Sequence, residues 1–219
     1  MRVLIFGASG MVGQGVLREC LAADDVTAVR AVGRSSIAQR SGKLDEVVVP
    51  DLHDLGSVAD RLTNFDACFY CAGPSAAGMS EAEYSRATYD LTVGAATTLA
   101  KLNTAMTFVY VSGSGTDSTE KGRVMWARVK GRTENALLRL PFRRAYMFRP
   151  GMIQPLHGIT SKTKSYRIIY SIMGPVLPAL KSLFPNAITT TEQVGRAMLA
   201  VARNGYSKPL LDARDINSL

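Results

Sequence analysis

The sequence is poor in the side chains that cross-link small proteins or hold metals. Its 219 residues include three cysteines, two histidines and one tryptophan. Three cysteines cannot form a disulfide framework, so a reducing compartment, the cytoplasm, is expected. The histidines, His53 and His157, lie far apart without clustered ligands around them, so no metal site is predicted.

Two of the cysteines form a C-x-x-C sequence, Cys68–Phe69–Tyr70–Cys71. Redox-active pairs of this kind lie at a helix N-terminus, whose dipole lowers the thiol pKa. Here the pair falls inside a predicted strand, where a separation of three residues places the side chains on opposite faces. We therefore predict two small, buried hydrophobic side chains and no redox centre.

Acidic residues are few: 18 Asp and Glu stand against 26 Lys and Arg, which gives a net charge of +8. A basic balance is typical of nucleic-acid-binding proteins, but it also suits other anionic ligands, including a dinucleotide phosphate. The basic residues are spread along the whole chain, with no recognised nucleic-acid-binding module and few aromatic residues beside them. We predict no nucleic-acid partner.

An uninterrupted apolar run long enough to cross a bilayer is also lacking. The nearest candidate, Tyr166–Phe184, contains Arg167, Lys181 and two prolines, so a membrane span is not expected. A strand-like run begins at Arg2, which leaves no room for a secretory signal. We predict short helices packed over the sheet in residues 160–185, with a peripheral membrane or partner contact as the alternative.

Short apolar runs alternate with helical patterns over the first 150 residues. Runs that are apolar throughout are typical of strands buried on both faces, and their alternation with helices indicates a parallel sheet. We predict an α/β fold: a doubly wound parallel sheet (Rossmann) with helices on both faces and a small C-terminal helical lobe. It is expected to form one domain over residues 1–219, with residues 152–190 as a substrate-side or partner-side insertion. The predicted strands are Arg2–Phe6, Val26–Val32, Val47–Val49, Asp66–Cys71, Thr107–Val111 and Ala145–Phe148; the predicted helices include Met11–Leu21, Leu55–Leu62, Ser80–Leu102, Trp126–Leu140 and Thr191–Ala202.

A glycine-rich loop follows the first strand and opens the first helix. It places Gly7, Gly10 and Gly13 in a GxxGxxG pattern, a variant of the dinucleotide-binding fingerprint. Small residues let the backbone approach a pyrophosphate, whose charge then faces free N–H groups at the helix start. Because strand, loop, helix and second strand occur in the required order, the pattern predicts dinucleotide binding.

The second strand ends in Gly33–Arg34–Ser35–Ser36, where an NAD site would usually hold the ribose 2′-hydroxyl with Asp or Glu. Arg34 offers a planar fork of donors to a 2′-phosphate, and Ser35 adds a hydroxyl. NADP(H) is therefore predicted over NAD(H).

The next two strands end in further candidate residues. Asp51 closes the third strand, where its carboxylate could accept from the adenine amino group or cap the helix near Leu55. Three small residues close the fourth strand and would let the cofactor lie on the sheet edge. They are Cys71, Ala72 and Gly73.

This order of motifs resembles the atypical, epimerase-like branch of the short-chain dehydrogenase/reductase superfamily. It is most similar to the nitrogen-metabolite-regulator and Tat-interacting-protein groups. The resemblance covers Met1 to about Gly151 and continues loosely to Ala202. It implies that the diphosphate is lined by Ser9, Gly10, Met11 and Val12, the 2′-phosphate by Arg34, the adenine by Asp51 and Leu52, and the nicotinamide carboxamide by Pro150, Gly151, Met152 and Ile153.

The resemblance also implies a catalytic serine after the fifth strand and a YxxxK motif on the following helix. Ser112 stands at the end of that strand, and Lys130 occupies the lysine position, where it would hold the nicotinamide ribose. The tyrosine position is Trp126. An indole N–H only donates and does not titrate in the useful range, so the superfamily's proton relay cannot run through it.

Three interpretations of this substitution are open. The protein is an oxidoreductase acting on a carbonyl or hydroxyl of a small molecule, with its proton supplied by Tyr84, Tyr89, Tyr166, Ser112 or a water. Alternatively, it binds NADP(H) without turnover and signals the cofactor state to a partner protein. In the third interpretation, Trp126 is a packing residue and the motif alignment is displaced by a turn.

Overall fold

A computed structural model of the protein describes residues 1–160 and 187–219. Seven of the strands form one sheet in the order β3-β2-β1-β4-β5-β6-β9, and every neighbouring pair is parallel. The strands, numbered in chain order, are β1 (Arg2–Phe6), β2 (Ala28–Gly33), β3 (Leu44–Val48), β4 (Ala67–Tyr70), β5 (Thr107–Val111), β6 (Arg144–Arg149), β7 (Met152–Gln154), β8 (Ile188–Thr190) and β9 (Leu210–Asp212).

Helices cover both faces because side chains along a strand alternate in direction. In β1, Val3 and Ile5 pack with one group of helices, and Leu4 and Phe6 pack on the opposite face. The first face carries α1 (Met11–Ala22), α5 (Thr191–Asn204) and α6 (Ala213–Ser218); the second carries α3 (Leu91–Leu102) and α4 (Met125–Leu138).

The strand order shows how the chain winds. From β1 it proceeds outward to β2 and β3, then returns to the other side of β1 for β4, β5 and β6. The direction reverses between β1 and β4, and in such sheets ligands bind at the carboxyl ends of the strands beside the reversal. The predicted doubly wound parallel sheet is confirmed.

The predicted helix over Ser80–Leu102 is present but is not uniform. A short α2 (Glu81–Ser85) leads into a π-helical turn, Arg86–Asp90, before α3 begins. A capping box begins this helix: Glu83 N donates to Ser80 Oγ at 3.3 Å, and Ser80 N donates to Glu83 Oε2 at 2.8 Å. The short helix predicted over Leu55–Leu62 is a 3₁₀ helix, Gly56–Leu62.

Beyond β6 the chain forms a second, two-stranded parallel sheet. β7 pairs with β8, and Met152 faces Ile188. The helices predicted for residues 160–185, and the membrane or partner contact considered there, fall almost entirely outside the described residues. After α5 the chain adds β9 to the edge of the main sheet beside β6, a strand that the sequence analysis did not predict. No helix in the described ranges is long and apolar enough to span a membrane.

Candidate cofactor-binding and active site

The glycine loop after β1 is shaped first by the protein's own packing. Gly7 has φ +80°, and a Cβ there would lie 2.7 Å from the backbone nitrogen of Ala72. A Cβ on Gly13 would lie 2.0 Å from the Gly7 carbonyl oxygen. Neither position can therefore carry a side chain while α1 begins this close to the ends of β1 and β4.

Gly10 is different, because the packing of the protein would leave room for a side chain there. Its φ is −82°, which any residue adopts, and a Cβ would meet only the Gly7 oxygen, at 3.3 Å. α1 begins after Gly10 with no side-chain cap and no acidic residue in its first turn. The N–H groups of that turn are thus left for an anion, which is the arrangement that a dinucleotide pyrophosphate requires.

A groove runs from this loop to the end of β2. Its walls include Ser9, Arg34 and Ser35, so the structure brings one of the predicted diphosphate residues to the same groove as the predicted 2′-phosphate residues. Arg34 is exposed, and no carboxylate in residues 1–160 or 187–219 pairs with it. The groove also contains Glu46 of β3, which the sequence analysis missed.

The residues predicted to contact adenine have partners within the protein. The backbone N–H of His53 donates to Asp51 Oδ1 at 2.9 Å, so the Asp51 carboxylate closes its own turn. Leu52 is 8% exposed and packs in the core beside Leu55. The adenine contacts stay a prediction, and the Leu52 side chain is turned away from solvent.

The small residues predicted to close the fourth strand follow β4 directly, and the structure places them against the glycine loop. Cys71 N donates to the Phe6 oxygen at 2.9 Å, and the chain passes Gly7 at Ala72 before reaching exposed Gly73. Cys68 packs on the α3 side of the sheet and Cys71 against the α1 side, so the prediction of opposite faces is confirmed. Burial raises the pKa of the Cys71 thiol to about 12, far from a reactive thiolate.

Ser112 and Lys130 meet at the carboxyl end of β5. The Lys130 ammonium donates to the Ser112 carbonyl oxygen. The Ser112 hydroxyl is buried and donates to the Phe148 carbonyl oxygen at 3.1 Å. The structure therefore brings the predicted pair together, but the serine hydroxyl already donates its hydrogen bond to the backbone of β6.

A buried ion pair lies one helical turn beyond Lys130. Glu134 is completely buried and accepts from Arg149 through both carboxylate oxygens, with Nε to Oε1 at 3.0 Å. Arg149 also donates to Ser118 Oγ at 2.5 Å. Burial lowers the pKa of Lys130 to about 8, and the Glu134 carboxylate opposes this shift. The lysine can therefore gain or lose a proton near neutral pH.

Trp126 lies one turn before Lys130 on α4. Its half-buried indole covers Gly115 of the β5–α4 loop, where an added Cβ would lie 3.5 Å from Cη2. Gly115 has φ +85°, so the loop needs glycine for its backbone as well. The tyrosine position of the superfamily is thus filled by a flat apolar wall beside the predicted nicotinamide site.

Two of the tyrosines considered as replacement proton donors lie in the part of the chain that the structure describes. Tyr84 is 2% exposed within the helical layer. The Tyr89 ring lies under the Arg132 guanidinium, 4.1 Å from its centroid. Tyr166 falls outside the described residues.

The segment predicted to pass the nicotinamide borders the Ser112 loop. Ser114 N donates to the Pro150 oxygen at 2.8 Å. Gly151 is next to Ala187, whose carbonyl oxygen would lie 2.5 Å from a Cβ, and Met152 and Ile153 begin β7. In the part of the chain that the structure describes, no three His, Cys, Asp or Glu side chains are grouped to hold a metal.

Comparison with known proteins identifies the class. The profile of the NAD(P)H-binding family matches residues 7–138, and the chain belongs to this family. Protein fmp52-2, mitochondrial, of Aspergillus terreus is 30% identical over 152 residues, which are 68% of this chain and 66% of that protein. Protein HTATIP2 of Rattus norvegicus is 28% identical over 153 residues, 69% of this chain and 62% of that protein. The matched region thus spans just under two thirds of these relatives.

Solved structures agree on the fold. An oxidoreductase of the short-chain dehydrogenase/reductase family from Burkholderia thailandensis has a TM-score of 0.71 at 21% identity, covering 98% of this chain and 91% of its own. A UDP-glucose 4-epimerase has a TM-score of 0.72 at 15% identity, covering 100% of this chain and 80% of its own. At these identities the likeness shows the fold, which is the Rossmann-like α/β fold that the sequence predicts.

Replacing Gly10 by Val should abolish dinucleotide binding while the protein stays folded. The backbone at Gly10 is extended and accepts a β-branched residue, but the side chain would stand where the backbone meets the pyrophosphate. Titration calorimetry with NADPH would measure the loss, and thermal melting would check the fold. The matched control is Gly94→Val in α3, where an added Cβ meets nothing within 4 Å. Unchanged affinity in folded Gly10→Val would show that the loop is only a turn.

The Lys130 amine should titrate at about pH 8, against about 10.4 for an ordinary lysine. Between these values the unfolded chain binds more protons than the folded one, so this group makes stability rise with pH across that window. Competitive acetylation followed by peptide mass spectrometry would give the reactivity of Lys130 at each pH, with exposed Lys101 as the internal reference. A Lys130 profile that coincides with the Lys101 profile would contradict the burial of the ammonium.

Proposed function

We propose that the protein is an NADP(H)-dependent oxidoreductase that acts on a carbonyl or hydroxyl group of a small molecule. The observation that carries the proposal is the placement of Lys130, a half-buried lysine whose ammonium donates to the Ser112 carbonyl at the end of β5. This arrangement lies in a chain of the NAD(P)H-binding family. A bound nicotinamide would supply the hydride donor or acceptor beside it.

We assign Lys130 as the general acid that donates a proton to the substrate carbonyl. A general acid works best when its pKa lies near the operating pH, and burial brings this amine to about 8. The Ser112 hydroxyl already donates to the Phe148 oxygen. The Trp126 indole does not titrate and so cannot supply the proton. Tyr84 is enclosed in the helical layer. Among the described candidates, Lys130 alone combines a titratable proton with a place at the predicted nicotinamide site.

Coenzyme preference is the second part of the proposal. Arg34 stands exposed at the groove, beside Ser35 and the glycine loop. A guanidinium without a carboxylate partner in the described chain is suited to a 2′-phosphate. We therefore favour NADP(H) over NAD(H).

The relatives support the class of activity and not the substrate. One structural neighbour is described as an oxidoreductase, and another, MoeE5, was solved with UDP-glucose and NAD at 18% identity and a TM-score of 0.70. The fungal relative carries "mitochondrial" in its name. We propose a cytoplasmic location for this protein from its three free thiols, which suit a reducing compartment.

Trp126 favours a second candidate function. An indole at the tyrosine position suits a protein that binds NADP(H) without turnover and acts through a protein partner. In that case Lys130 and Arg34 hold the cofactor only. Turnover of NADPH against a panel of carbonyl compounds distinguishes the two functions.

Replacing Arg34 by Ala should weaken NADP(H) binding by roughly ten- to a hundredfold, the worth of a hydrogen bond to a charged group. Binding of NAD(H) should change less than twofold, because it has no 2′-phosphate. Calorimetric titration of both cofactors gives the two ratios. Arg139→Ala, which removes an exposed arginine at the end of α4, controls for net charge. Equal affinity for the two cofactors in the parent protein would contradict the preference.

Replacing Trp126 by Tyr should leave cofactor affinity within a few-fold and raise reductase activity on a generic carbonyl. The new phenol would stand four residues before Lys130, where its pKa would be lowered by the ammonium. Steady-state oxidation of NADPH measures the gain, and Trp126→Phe is the control without a hydroxyl. If Trp126→Phe destroys a vigorous native activity while Trp126→Tyr does not raise it, the indole N–H acts in the reaction and our account is wrong.

A further inference from the structure

Glu46 occupies the wall of the groove that the 2′-phosphate is expected to enter. It lies in the middle of β3, and its side chain is 17% exposed. Its Oε2 accepts from the backbone N–H of Ile37 at 2.8 Å, and its Oε1 accepts from the Ser36 hydroxyl at 3.2 Å. Both carboxylate oxygens are therefore engaged by the chain that follows Arg34.

These hydrogen bonds hold the connection between two parallel strands. Residues 34–43 link β2 to β3 without a helix, although parallel neighbours are usually joined through one. Glu46 pairs with Ala31, two residues before the end of β2, so its side chain draws Ile37 back over the strand. The Ile37 side chain packs against the core on the α1 face. The position of Arg34 thus depends on a fixed point three residues later.

The same carboxylate places a negative charge near the Arg34 site. Arg40 approaches it at 3.8 Å but is 86% exposed, so it neutralises little of that charge. The groove therefore has a cation at its rim and an anion in its wall. A 2′-phosphate, with close to two negative charges, is attracted by the first and repelled by the second.

We propose that Glu46 is a specificity-determining residue, which orders the Arg34 loop and at the same time limits the preference for NADP(H). The proposal rests on the dinucleotide site described under the proposed function. Ordering the loop strengthens NADP(H) binding, and the negative charge weakens it. One variant that removes only the charge, and another that removes the charge together with the hydrogen bonds, therefore separate the two effects.

Glu46→Gln removes the charge and keeps an amide oxygen for the Ile37 N–H. We expect NADP⁺ to bind about fivefold more tightly than to the parent protein, and NAD⁺ to stay within twofold. Adenosine 2′,5′-bisphosphate and adenosine 5′-monophosphate, which differ only in the 2′-phosphate, should show the same contrast by calorimetry. Since the effect is a charge repulsion, it should shrink when the ionic strength rises from 0.05 to 0.5 M.

Glu46→Ala removes the charge and the tether together. We expect it to bind NADP⁺ about tenfold more weakly than Glu46→Gln, because Arg34 is no longer held. Hydrogen exchange at the Ile37 amide should be fast in Glu46→Ala and protected in Glu46→Gln, which ties the binding loss to the loop. Thermal melting confirms that both variants are folded.

Asp45 offers a matched control on the same strand. Its carboxylate points away from the groove and binds Arg30 at 2.7 Å and Arg61 at 3.4 Å. Asp45→Asn removes the same unit of charge one residue away, and it should leave the ratio of NADP⁺ to NAD⁺ affinity unchanged.

The outcomes separate this proposal from the proposed function. If no dinucleotide binds to the parent or to any variant, both are overturned. Suppose that dinucleotides bind, but the ratio of NADP⁺ to NAD⁺ affinity in Glu46→Gln equals that of the parent protein or changes by the same factor as in Asp45→Asn. The proposal for Glu46 is then overturned, and the proposed function is not. A gain that persists unchanged at high ionic strength would likewise exclude the repulsion.

Discussion

The close approach of α1 to the ends of β1 and β4 is the constraint on which the site depends. It is possible only because Gly7 and Gly13 carry no side chains: a Cβ on either would lie inside contact distance of Ala72 or of the loop itself. With these glycines in place, the uncapped first turn of α1 faces the crevice where the sheet reverses direction. A ligand that fills the crevice then meets a helix N-terminus with no acid beside it. Anion binding is thus a consequence of how the first βα unit packs.

A similar dependence operates at the carboxyl end of β5. α4 can lie against the 117–118 backbone because Gly131 has no side chain; a Cβ there would be 1.7 Å from the Asp117 oxygen. This packing sets Lys130 over the end of β5 and buries Glu134 beneath it. A buried carboxylate is costly unless it is paired, and Arg149 supplies the pair from the end of β6. One ion pair therefore links α4 to β6, and its carboxylate, Glu134, favours the charged form of the neighbouring lysine.

The fold was predictable because its signals are local. Buried parallel strands are apolar throughout, and glycine or proline ends them, so the six strands from β1 to β6 were found with limits displaced by a few residues. β9 was missed because a three-residue strand at a sheet edge carries almost no pattern of its own; it exists because β6 offers it a partner. The π turn at Arg86–Asp90 was missed for a related reason, since its residues also fit an ordinary helix.

The residues of the candidate site likewise fall into those that local sequence signals predict and those that only the folded structure brings together. Motif spacing was enough to put Gly10 at the start of α1 and both Trp126 and Lys130 on α4, because strand, loop and helix follow each other along the chain. Glu46 was not found, since its relation to Arg34 is created by the pairing of β2 with β3 and by a loop that folds back. A signal was present, however: Asp45 and Glu46 are adjacent in β3 and point to opposite faces. Each carboxylate must find donors, and those of Glu46 belong to the connection that enters the strand.

In the site that we propose, coenzyme preference depends on Arg34 and Glu46 together and not on one residue. Specificity is the difference between two binding free energies, and a group that opposes one ligand matters as much as a group that attracts it. In many dinucleotide sites the acid that discriminates stands at the end of the second strand, where it meets the ribose directly. Here that position holds a guanidinium, and an acid on the third strand fixes the loop that carries it. In the site that we propose, the carboxylate that organises the loop lies on the wall of the same groove as the cation, and the balance between the two charges would set the preference.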